Sequence, residues 1–181
     1  MSAILKRKGD YHNLIAYKKS VVIYDITFFF TQHFLQKGDR TIDQMLQAAR
    51  SGKQNIAEGN RAAATSTETE IKLTNVAKAS LEELLIDYQD YLRTRNKLLW
   101  DTSNPRYEKM RVYAASKLIF DQYHSLLHKY NDEALANLCI TLIHQTSFLL
   151  YRLLEKQEKN FLKEGGIKER MYQARLNIKN K

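Results

Sequence analysis

Few residues in this chain have both the type and the spacing to do chemistry. Asp121, His124 and His128 stand at i, i+3 and i+7, so one helical face could turn all three toward a metal ion. Spacing identifies no fourth ligand, and the simpler account is the polar side of an amphipathic helix. Glu82, Glu83, Asp87 and Asp90 form a second acidic cluster. Holding Mg²⁺ there would need more carboxylates on a facing helix, and the preceding segment offers only Asp43 and Glu58. A solvated acidic face explains the cluster better. Cys139, the single cysteine, lies on an apolar seam and reads as a small buried hydrophobe rather than a nucleophile. There is no Gly-rich phosphate loop, CxxC pair or HExxH. The expectation is a protein without catalytic residues, resident metal or cofactor.

Charge says more. The 181 residues carry a net +9. Residues 1–20 hold five Lys/Arg against one Asp, and residues 156–181 hold eight against three Glu, while residues 21–155 are balanced. A neutral body with basic ends fits polyanionic partners, RNA or DNA above all, or an acidic protein face. Lys6, Arg7, Lys8, Lys168, Arg170, Arg175, Lys179 and Lys181 are the terminal candidates for phosphate contact. Within the body, Arg50, Lys53 and Arg61 could form one basic stripe.

These residues must be positioned by helices. Six Gly and one Pro are too few for a turn-rich β fold. From about Tyr11 to Lys37 the residues Leu14, Tyr17, Val21, Tyr24, Phe28 and Leu35 follow a heptad seam, widened by Ile15, Val22, Ile26 and Phe29, with Gly38 as the stop. A second helix is expected over Thr41 to Glu58. Ala48, Ala49, Ser51 and Gly52 thin its middle enough for a close neighbour, and Gly59 is expected as the left-handed residue past its end. A third helix starts at Thr65–Thr67, where Thr65/Glu68 and Thr67/Glu70 have capping-box spacing. It runs to about Asn96 on a seam of Leu73, Ala77, Ser80, Leu84, Tyr88 and Tyr91. An insert, 98–131, carries one amphipathic stretch from Arg106 to Tyr130. A last long helix over Glu133 to Lys163 ends at Gly165–Gly166, and a basic tail follows that is either a short docking helix or an arm. The most apolar window, Val21–Phe30, is about half a bilayer span, and no signal peptide is apparent. A cytoplasmic protein without membrane contact is expected.

The stretch from Ile42 to Leu92 carries a resemblance. Ala48-Ala49-Arg50-Ser51 falls mid-helix, Asn55-Ile56-Ala57-Glu58-Gly59 follows, and then come a Ser/Thr-rich entry and Ser80-Leu81-Glu82-Glu83-Leu84. This pattern closely resembles the bacterial four-helix-bundle family named after intervening sequences in 23S rRNA genes, in its longer form with a C-terminal suffix. The resemblance implies an all-α, antiparallel four-helix bundle over 1–163, with the insert helix between helices three and four. A short basic extension over 164–181 would follow. It also implies a ring-shaped homopentamer without enzymatic activity. One relative, the accessory protein of diversity-generating retroelements, binds nucleic acid and a reverse transcriptase through such a ring. Asn55, Glu58 and Gly59 would be structural, with Asn55, Glu58 and Arg61 pairing across the turn. The function expected is an oligomeric scaffold that binds nucleic acid, RNA favoured. The alternatives are a protein-interaction module and, less favoured, a metal-dependent enzyme.

Overall fold

The computed structural model describes residues 10–179. They are all-helical, with no strand among them. After a 3₁₀ turn at Tyr11–Asn13 come α1 (Ile15–Phe34), α2 (Thr41–Ala62), α3 (Thr67–Thr94), α4 (Tyr107–Ala115), α5 (Leu118–Leu127), α6 (Asp132–Glu164) and α7 (Ile167–Lys179). α2 packs on α1 and α3, α6 packs on α1 and α3, α4 lies on α6 and α5 on α1. All six of these helices contribute to one core, Met110 and Ala114 from α4 and Ile119, Tyr123 and Leu127 from α5 among them. Ile23, Phe30, Met45, Leu81, Leu84, Tyr88, Leu138 and Leu142 are fully enclosed.

Several boundaries differ from expectation, each for a local reason. Gly59 does not end α2. It lies inside the helix, where a Cβ would meet Leu73 Cβ at 3.3 Å and the Glu70 carbonyl at 3.4 Å, so it is needed for close approach to α3. Gly52 has the predicted role, because a Cβ there would meet Leu81 Cδ2 at 2.9 Å. Ser66, not Thr65 or Thr67, caps α3, accepting from the Thr69 amide at 3.1 Å. The insert is two short helices, broken at Ser116, rather than one. Asn131 caps α6 by accepting from the Ala134 amide at 2.9 Å. Gly165, at φ +66°, ends α6, and the tail beyond it is the helix α7.

The register of α1 also differs. The enclosed stripe is Ala16, Ile23, Ile26, Thr27 and Phe30, while Tyr17, Val21 and Tyr24 are half-buried and Phe28 is exposed. Nearly every residue from Val21 to Phe30 is apolar, so α1 carries two overlapping stripes, and only one meets the core. Thr27 is accommodated because its hydroxyl donates to the Ile23 carbonyl at 2.7 Å and accepts from Tyr88 at 3.0 Å. Within Asp132–Ile178 lies a window long and apolar enough to cross a membrane by length and composition, and 56% of that window is buried within the fold.

Candidate nucleic-acid interface

The α1/α2 flank gathers tyrosines and cations. Lys53, half-buried on α2, holds its ammonium 3.8 Å from the centre of the Tyr24 ring. About two turns further on, the Arg61 guanidinium lies 4.8 Å from the Tyr11 ring and donates to the Tyr11 hydroxyl at 3.0 Å. Tyr11 in turn meets Tyr17 edge-on at 4.7 Å. Arg50, Arg61, Lys18 and Phe28 are exposed. At 100° per residue, Arg50, Lys53 and Arg61 fall on one face of α2, so the structure brings the predicted stripe together and adds tyrosines to it.

The motif residues behind this face have other partners than expected. The Asn55 amide donates to the Ser51 carbonyl at 2.9 Å and to the Ser51 hydroxyl at 3.2 Å. Ser51 and Ser80 hydroxyls stand 2.8 Å apart across the α2/α3 contact. Asn55 therefore supports the Ser51 hydroxyl that meets α3, Arg61 turns to Tyr11, and Glu58 is exposed. The expected pairing of these three across a turn does not occur, since α2 runs on through Gly59 to Ala62.

The terminal candidates divide. Lys6, Arg7, Lys8 and Lys181 lie outside the described residues, as does the Lys179 side chain. Lys168 and Arg175 are exposed on α7. Arg170 is half-buried and bends back, its Nε donating to the Gly166 carbonyl at 3.4 Å.

The remaining chemical candidates are dispersed. Asp121, His124 and His128 are all exposed on or beside α5. The His124 ring leans on Tyr123 at 3.9 Å and the His128 ring meets Phe29 edge-on at 5.0 Å. Among the described residues no three His, Cys, Asp or Glu side chains could hold a metal ion. On α3, Glu82 pairs with Lys78 at 3.6 Å and Asp90 with Arg93 at 2.8 Å. Asp87 is pushed above its ordinary value by burial, then by Asp90 and Glu83. The Cys139 thiol is fully enclosed, near Thr27 at 3.8 Å, and burial pushes it up to about 12. That setting disarms a nucleophile.

Sequence reasoning missed the opposite flank of α1. Lys19 sits there only 4% exposed, its ammonium donating to the Ala114 carbonyl and, at 2.8 Å, to Gln145 Oε1. Burial lowers it to about 8. The connector before α4 is pinned nearby. The Trp100 amide donates to Asn137 Oδ1 at 2.7 Å and its indole to Glu133 Oε1 at 3.0 Å. The result is an open cavity of about 740 Å³ between insert, α1 and α6. Compared with family models, curated proteins and solved structures, the chain matches none.

Proposed function

We infer that this chain is a non-enzymatic helical scaffold that binds nucleic acid, RNA in preference, along the α1/α2 flank. The observation that carries this reading is the pairing of cations with tyrosines there: Lys53 on Tyr24 and Arg61 on Tyr11, with Arg50 exposed on the same face of α2. Lys and Arg neutralise phosphates, and half-exposed rings offer faces on which unpaired bases stack. Lys168 and Arg175 on α7 extend the basic surface.

The resemblance of Ile42–Leu92 to the 23S rRNA intervening-sequence family supports the finer reading. In it, α1, α2, α3 and α6 are an antiparallel four-helix bundle with α4 and α5 inserted, assembled as a cytoplasmic homopentamer. The exposed Phe28 favours a protein partner as the second reading, either another copy of the chain or a different protein.

Fluorescence anisotropy with a labelled single-stranded RNA tests the proposal. Affinity should fall linearly on a log–log plot against salt, by about three-hundredfold between roughly 50 and 200 mM if six phosphates of the single strand are contacted. A salt-independent affinity, or no binding at low salt, would remove the nucleic-acid reading and leave the protein-partner one. Light scattering should return five 21.2 kDa copies; a monomer would remove the ring.

A further inference from the structure

We propose that the cavity between the insert, α1 and α6 is a binding site for a small monoanion with an apolar body, a carboxylate seated on Lys19. The walls are apolar: Leu99, Trp100 and Tyr107 from the insert, Ile15 from α1, and Ile140 and Phe148 from α6. At about 740 Å³ the space is the size of an ordinary small-molecule site. Lys19 supplies the polar anchor. Its ammonium has three donors, and the protein takes two, through the Ala114 carbonyl and Gln145 Oε1. No carboxylate lies within ion-pair distance of it among the described residues, and desolvation is the sole cause of its depressed basicity. A cation enclosed without a counter-charge is costly. A ligand carboxylate provides the missing charge and the missing acceptor together, and its apolar body covers the exposed Leu99 and Phe148.

The other charged groups of the cavity leave this assignment to Lys19. Arg111 is held by both oxygens of Glu108, at 2.9 and 2.8 Å. Asp101 is exposed and accepts from the Ser103 amide and hydroxyl. His144 on α6 has its basicity lowered by burial, which favours the neutral ring. Gln145 is fixed between the two sides, since its amide donates to the Arg111 carbonyl at 3.0 Å. Lys19, Gln145 and α4 therefore form a preset cradle.

The test is calorimetry on the full chain with decanoate and, as a neutral probe of equal length, decanol. Decanoate should bind saturably, one per chain, and decanol at least tenfold more weakly. Lys19→Met should reduce decanoate to the level of decanol and leave decanol unchanged. Ala115→Trp, at an exposed wall position, should block both probes while leaving helicity intact, and keeps the proposal testable if Lys19→Met does not fold. No saturable decanoate binding, equal affinity for the two probes, or decanoate binding unaffected by Ala115→Trp would overturn it. In each of those cases Lys19 would only tie α4 to the rest of the fold.

Discussion

A lysine stands at each flank of α1, Lys53 reaching it from α2 and Lys19 reaching out from α1 itself, and the two differ in almost every property that matters. On the α2 side, Lys53 rests on the Tyr24 ring, half-exposed, with Arg50 and Arg61 on the same face. On the insert side, Lys19 is enclosed, its ammonium bonded to a carbonyl and an amide oxygen. Residue type alone does not separate them; solvation does. A water-exposed cation beside a ring keeps its charge at little cost and can meet a phosphate backbone. An enclosed one has lost its hydration, and a single small anion restores more than a polymer that cannot enter. One helix thus presents a surface suited to a long polyanion and a cavity suited to a small one.

The largest effect should come from removing the exposed cations together. Arg50→Gln, Lys53→Gln and Arg61→Gln combined should weaken RNA binding at least tenfold and reduce the log–log salt slope by about 2 if each contacts one phosphate of a single strand. Circular dichroism should be unchanged. An unchanged slope would move the binding surface to α7 and the chain ends. Next is the support behind that flank. Gly52→Leu places a branched side chain where even a Cβ meets Leu81 at 2.9 Å, and overpacking of this kind costs ~1–3 kcal/mol. The melting temperature should fall, and an unchanged value would contradict the close α2/α3 approach. The subtlest effect belongs to the insert side. Lys19 titrates at about 8 when folded against 10.5 unfolded, so between these values the unfolded chain binds more protons and folding becomes more favourable as pH rises. The stability of the wild-type chain relative to Lys19→Met should therefore climb from about pH 8 to 10.5. A flat difference would place the ammonium in water.

The two flanks also differed in what could be read from the sequence. Part of the α2 stripe was legible, because Arg50 and Lys53 are i, i+3 neighbours on the expected helix and Gly52 among small residues signalled close packing. That Arg61 shares their helix was not, because the helix was expected to stop at Glu58 and instead runs to Ala62. The α3 seam from Ala77 to Tyr91 was legible too: Ala77, Ser80, Leu84, Tyr88 and Tyr91 are all buried, and Glu82, Glu83, Asp87 and Asp90 mark the other side. In α1 the run Val21–Phe30 has hardly any polar punctuation, so a heptad through Tyr17, Tyr24 and Phe28 fitted as well as the enclosed stripe through Ile23, Ile26 and Phe30. Lys19 was illegible for a different reason. Next to Lys18 it reads as a solvated pair, and its burial depends on Ala114 and Gln145, 95 and 126 residues away. Gly59 was misread because a glycine past an apparent helix end and one at a helix crossing look the same without the partner helix.

The claim that the two flanks have different partners is tested most directly by zero-length ultraviolet crosslinking of a bound single-stranded RNA, with the attached residues read by mass spectrometry. Both flanks offer aromatic rings, so both can report. Crosslinks should fall on Tyr17, Tyr24 and Phe28, and disappear when Arg50, Lys53 and Arg61 are replaced. Crosslinks confined to Trp100 and Tyr107 would contradict the account.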